Sequence, residues 1–95
     1  MTTVEYTPES AKELSKLDRQ SASRIRAYMG EVETLADPRS RGKGLTSNLS
    51  GLWRYRVGDY RIISRITETK AEDEPPQTVI TVLVVHIGHR SEIYR

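Results

Sequence analysis

Apolar and polar positions change period along this chain. Val4 and Tyr6 share one face of a short extended run, TVEY at 3–6. The spacing then turns helical. Ala11, Leu14 and Leu17 recur behind Thr7-Pro8. Thr7 is placed to cap this helix, and Pro8 takes its first position, where a missing N–H costs nothing. Asp18 is placed to cap a second helix, whose apolar stripe runs Ala22, Ile25, Met29, Val32 and Leu35-Ala36 until Asp37-Pro38 stops it. Two helices joined this tightly read as an αα-hairpin with core-facing stripes.

RSRGKG at 39–44 is polar and glycine-bearing and reads as a loop. Beyond it the period drops to two. LWRYRV and YRIISRI flank Gly58-Asp59, a two-residue turn of the kind that closes hairpins. TETKAEDEPPQ at 67–77 is acidic, contains Pro75-Pro76, and reads as a long hairpin loop. TVITVLVVHIG at 78–88 is the most apolar run, and its β-branched content predicts a central strand covered on at least one face. The order is strand, two helices, three antiparallel strands. It predicts an α+β fold: an N-terminal strand and a two-helix hairpin packed on one face of a twisted, mainly antiparallel sheet, in a single domain spanning 1–95.

Composition narrows the chemistry. The 95 residues include no Phe, one Trp and no Cys, so the core must be Leu, Ile and Val with a few Tyr, and disulfides and thiolate metal sites are excluded. Two histidines without a carboxylate cluster beside them predict no metal site and no cofactor. The start, MTTVEYTPES, has no basic region and no apolar run, and no segment approaches the roughly 18 apolar residues of a membrane span. A soluble, cytoplasmic protein without a membrane partner is expected. The net charge of +2 is unevenly spread: −1 over residues 1–36, +5 over 37–65 and −2 over 66–95. A basic middle third on a nearly neutral chain points to a polyanion.

That charge sits in the hairpin. Alternation sends Arg54 and Arg56 to one face and Trp53, Tyr55 and Val57 to the other, towards the helices. Arg61 and Arg65 share a face of the next strand. Pairing Val57 with Tyr60 across the turn sets Tyr55 beside Ile62 and Arg56 beside Arg61, where like charges repel. Two readings of this face stand. Either an anion sits between the arginines, or they splay into water and meet acidic partners from 68–74. Arg90, just past the apolar strand, is placed to reach the same face, with Tyr94 four residues on. His86, within the apolar strand, reads as a satisfied, half-buried histidine. His89 falls opposite Arg90 by strict alternation, unless Gly88 breaks it.

The segments LSGLWRYRVGDYRII and VVHIGHRSEIY carry a resemblance. Over essentially its whole length the chain resembles the RelE toxins of the RelE/ParE toxin–antitoxin superfamily. The resemblance implies a metal-independent endoribonuclease that enters the ribosomal A site and cuts mRNA by attack of a ribose 2′-OH on the adjacent phosphate. It implies a catalytic set of Arg54, Arg56, Arg61, Arg90 and Tyr94. In it Arg61 stabilises the transition state, Arg54 and Arg56 orient phosphates, and Tyr94 stacks on a base. Some relatives carry lysines at the positions of Arg54 and Arg56. Arginine is not deprotonated at ordinary pH, so the general base must come from elsewhere, with Tyr94 and His89 as candidates. Arg39, Arg41, Lys43 and Arg65 are candidate RNA contacts. The implied partners are a RelB-like antitoxin, acidic and partly disordered when alone, the ribosome with its mRNA, and promoter DNA only through the antitoxin complex. Two other readings remain: a ParE-like, gyrase-directed toxin without nuclease activity, and an inactive RNA-binding homologue.

Overall fold

Both helices begin where the sequence predicts. In the computed structural model, which describes residues 1–72 and 75–92, Thr7 caps helix α1 (Pro8–Ser15) by accepting the Ser10 N–H at 3.1 Å. Asp18 caps α2 (Arg19–Glu33) by accepting the Ser21 N–H at 3.0 Å. Hydrogen bonds from Ser21 hold the Asp18 carboxyl below its usual range. The second helix ends earlier than its apolar stripe. Its last turn closes at Glu33, where the Thr34 N–H donates to the Glu31 carbonyl and the Leu35 N–H to the Val32 carbonyl. Leu35 leaves the helix, and its carbonyl accepts the Thr2 hydroxyl at 2.8 Å.

Five strands form one sheet in the order β1-β5-β4-β3-β2: β1 (Thr2–Tyr6), β2 (Lys43–Gly44), β3 (Trp53–Val57), β4 (Tyr60–Ala71) and β5 (Gln77–His89). The outermost strand β1 runs parallel to β5, and every other pairing is antiparallel. The β3–β4 register is the predicted one, with Arg56 opposite Arg61 and Tyr55 opposite Ile62. Two expected loops are corrected. Most of 67–77 is strand, because pairing continues from Thr67↔Thr81 to Ala71↔Gln77. Its threonines suit an open pleat, and a two-stranded ribbon satisfies backbone groups without needing a core. The 39–44 stretch holds the end of a 3₁₀ turn (Pro38–Ser40) and the short β2. Gly42 turns the chain between them with φ +81°.

One irregularity sets the geometry of β5. Ile63 pairs with His86 but Ser64 pairs with Val84, so Val85 is an extra residue, a β-bulge. Before it the buried positions are Ile80, Val82 and Val84; after it the buried position is Ile87. The Val84 carbonyl accepts both the Thr7 N–H at 3.0 Å and the Ser10 hydroxyl at 2.8 Å, fixing the start of α1 against the bulge.

The core lies between the helices and one face of the sheet, and is built largely from Leu14, Ile25, Met29, Val32, Tyr55 and Ile62. Tyr55 is fully buried, meets Tyr28 edge-on at 6.0 Å between ring centroids, and donates to the Pro38 carbonyl at 2.8 Å. Burial, reinforced by Tyr28, pushes its phenol up to about 12.

Two stability predictions follow from this packing. The unfolded chain releases the Tyr55 proton near the ordinary 10.0 and the folded chain near about 12. The phenol's contribution is therefore complete below the lower value and lost as pH rises through the upper one. Urea unfolding should show Tyr55→Phe losing about 1–3 kcal/mol at neutral pH, from the orphaned Pro38 carbonyl, together with a shallower alkaline decline than the parent. At Gly42 a Cβ would collide with the Arg54 carbonyl oxygen and crowd Trp53 Nε1 at 2.7 Å. Gly42→Ala should cost about 1–3 kcal/mol or more on the same measurement.

Candidate nucleic-acid interface

Register turns the hairpin pattern into rows across the sheet. Arg56, Arg61 and Gly88 are successive cross-strand partners in one row; Arg54, Ile63 and His86 form another, extended by Lys43 opposite Arg54. Cross-strand partners share a face. The alternate rows, Val57–Tyr60–His89 and Tyr55–Ile62–Ile87, face the helices. The arginines of β3 and β4 therefore gather on the sheet face away from the helices.

They differ in what holds them. Arg61 is only 7 % exposed, and its Nη1 donates to the Gly58 and Tyr60 carbonyls, both at 3.1 Å. The opposition with Arg56 is thus relieved in part by the hairpin's own carbonyls, an outcome that alternation alone did not indicate. Arg56 and Arg65 are exposed and Arg54 is partly buried. Tyr28, Gly42, Lys43, Arg54 and Arg56 line an open cavity of about 320 Å³. Among the described residues, Lys43, Arg56 and Arg65 have no carboxylate partner. A concave site lined by Lys43, Arg54 and Arg56 and, among the described residues, by no acid suits phosphate oxygens.

The other candidates are distributed around this face. Arg90 reaches the hairpin turn: its N–H donates to the Asp59 carbonyl at 2.8 Å, and its Nε lies 3.7 Å from Asp59 Oδ1. Arg39 pairs with Glu68 at 2.9 Å, so this acid of the 68–74 stretch meets the 39–44 loop, while Asp73 and Glu74 lie outside the described residues. Arg41 pairs with Glu31 at 2.9 Å and lies over the Tyr28 ring at 5.6 Å; the Glu31 hydrogen bond raises its guanidinium further. Tyr94 lies outside the described residues.

The two histidines lie on opposite faces of the sheet, His89 on the one that strict alternation predicts. His89 packs edge-on against Tyr60 at 5.8 Å on the helix side and accepts the Ser91 N–H at its Nδ1, 3.2 Å away. It borders a cavity of 240 Å³ shared with Ser21, Arg24, Val57, Asp59 and Tyr60, which the arginine rows do not enter. His86 is satisfied, as expected, with Nδ1 2.6 Å from Glu13 Oε2, but it is exposed rather than half-buried. The bulge puts it in the Arg54 row. Strand bulges leave little mark in an unbroken apolar run such as LVVHI, and this one left none.

A family model described as the ParE toxin of type II toxin–antitoxin systems, parDE, matches residues 4–94. The chain belongs to the RelE/ParE superfamily of type II toxins. It is 32% identical over 94 residues to Toxin RelG of Mycobacterium tuberculosis, covering 98% of this chain and 95% of that one. To Toxin RelE of the same organism it is 30% identical over 93 residues, covering 97% and 84%. Among solved structures it is similar to the toxin–antitoxin complex RelBE2 from M. tuberculosis, with TM-score 0.70, 26% identity, and coverage of 95% of this chain and 92% of that one. The α+β architecture, two helices on a five-stranded mixed sheet, is that of RelE-like toxins.

In this toxin the arginines of the shared row should separate by stability. Arg61→Ala should lose about 1–3 kcal/mol in urea unfolding, since it strips two turn carbonyls of a charged donor. Arg56→Ala, at an exposed position, should stay within about 0.5 kcal/mol of the parent.

Proposed function

We propose that this toxin is a metal-independent, ribosome-dependent endoribonuclease that cuts mRNA in the A site. The observation that carries the reading is the pair of basic rows, Lys43–Arg54 and Arg56–Arg61, beside a cavity that no acid lines among the described residues. Guanidinium groups offer planar, paired hydrogen bonds to phosphate oxygens. In the reaction a ribose 2′ oxygen attacks the neighbouring phosphorus, the bond to the 5′ oxygen breaks, and a 2′,3′-cyclic phosphate forms. Lys43, Arg54 and Arg56 would seat the backbone. Arg61, tied to the turn, supplies positive charge that needs no reorganisation as negative charge grows on phosphorus. Arg90 and Tyr94 complete the proposed catalytic set, and Arg39, Arg41 and Arg65 the RNA contacts.

The similarity to toxins RelG and RelE and to a RelBE2 complex supports this reading and an antitoxin partner. An acidic, partly disordered antitoxin segment would fold onto the same basic face, and promoter DNA would be met only through that complex. We read residues 1–95 as one toxin domain acting in the cytoplasm; among the described residues no helix is long and apolar enough to cross a membrane. The ParE description of the matched family favours a second reading, a toxin that binds gyrase and performs no chemistry.

Purified protein added to programmed ribosomes separates the two. Fragments ending in a 2′,3′-cyclic phosphate at the A-site codon, formed equally in a chelator, are the expected result. Arg56→Ala should slow cleavage on the order of 10²–10³-fold. Intact message alongside gyrase inhibition would establish the second reading instead.

A further inference from the structure

The basic rows leave one task without a group, because arginine cannot take the 2′ proton. We infer that His86, oriented by Glu13, is the general base of the endoribonuclease reaction proposed above, on which this inference rests.

The geometry begins at the sheet edge. Strand β1 ends at Tyr6, opposite Val84, so β5 has an open edge on that side from Val85 onward. The bulge at Val85 brings His86 into the row of Ile63 and Arg54. Ser10 fixes the first turn of α1 to the Val84 carbonyl, and Glu13 stands one turn further on, at that edge. Its Oε1 accepts the Ile87 N–H at 3.0 Å and its Oε2 lies 2.6 Å from His86 Nδ1. An ionised carboxylate only accepts, so Nδ1 carries a hydrogen, and in the neutral ring Nε2 then presents its lone pair at the far side. The His86 side chain is 46% exposed.

His89 is placed differently. Its Nδ1 meets the Ser91 hydroxyl at 2.8 Å and the Ser91 N–H at 3.2 Å, and it stands in the row facing the helices. Of the two imidazoles, only His86 combines an accepting Nε2 with the arginine face. The charged groups around it are Glu13 from α1, Arg61 from the neighbouring row of β4, Arg54 beyond Ile63, and Arg90 past the end of its own strand. Glu13 favours the imidazolium formed in the reaction, and the arginines hold the phosphate.

The step balances. The 2′ O–H bond breaks and its proton passes to Nε2 as the 2′ oxygen bonds to phosphorus. The bond from phosphorus to the 5′ oxygen breaks, and its electron pair leaves on that oxygen, which takes a proton from water. The imidazolium returns its proton to the resulting hydroxide.

Single-turnover cleavage on programmed ribosomes, followed against pH, tests the assignment. The parent should slow on the acid side as the imidazole takes up a proton. H86Q should be slower on the order of 10²–10⁴-fold and lack that acid-side fall. Added imidazole should partly restore H86A. E13Q keeps an acceptor for the Ile87 N–H but removes the charge, and should be slowed less than H86Q. Arg56→Ala should be slow yet keep the acid-side fall. If folded H86Q retains the parent's rate and profile, or if it is slow but keeps the acid-side fall and H86A is not rescued, His86 is not the base and the endoribonuclease reading stands. Should H86Q fail to fold, an E13Q rate and profile equal to the parent's overturn the assignment in the same way. A parent protein that leaves the message intact removes the endoribonuclease reading and its base together.

Discussion

A single carbonyl, that of Val84, organises much of this molecule. It accepts the Thr7 N–H and the Ser10 hydroxyl where β1 gives way to α1, and it stands directly before the extra residue of β5. A bulge reverses which side chains meet which face, because side chains alternate along a strand. Val82 and Val84 enter the core before it and Ile87 after it. By the same shift His86 and Gly88 come to the face that carries the arginines. With α1 fixed at this point, Glu13 arrives at the open edge of β5 and supplies an acceptor for the Ile87 N–H. An exposed strand edge otherwise leaves such groups to any passing chain.

The basic face combines two kinds of cation. Arg61 is buried and tied to carbonyls of the hairpin turn, which makes it part of the structure as well as of the site. Arg56 and Lys43 are exposed and meet no carboxylate among the described residues. Several acids are engaged away from these cations: Glu68 with Arg39, Glu31 with Arg41, Asp59 with Arg90. Concentration of charge on one face therefore comes from where the acids are held as well as from where the arginines lie. Such a face attracts polyanions and acidic chains alike, so one surface can serve an RNA substrate and the antitoxin that would silence it.

Much of this was legible from local chemistry. Thr7-Pro8 and Asp18 marked both helix starts, because a cap needs only its own side chain and the next three residues. Gly58-Asp59 set the hairpin register, because a two-residue turn leaves one pairing. The end of α2 was misplaced, since Leu35 continues the apolar period yet gives its carbonyl to Thr2, 33 residues away. The ribbon within 67–77 was missed, since an acidic, proline-bearing composition resembles a loop although its threonines pair across two strands.

The candidate site divides along the same line. Alternation within one strand determined that Arg54 and Arg56 share a face, and a two-residue turn determined that Arg61 opposes Arg56. Those are constraints between near neighbours, and the sequence holds them by itself. Only the tertiary structure decided that Arg61 is buried on turn carbonyls, that His89 turns towards the helices and that His86 meets Glu13. The last contact spans 73 positions and depends on one extra residue in β5, on the point where β1 ends, and on the angle at which α1 leaves it. Contacts of that range follow from how elements pack, and packing is a property of the whole chain.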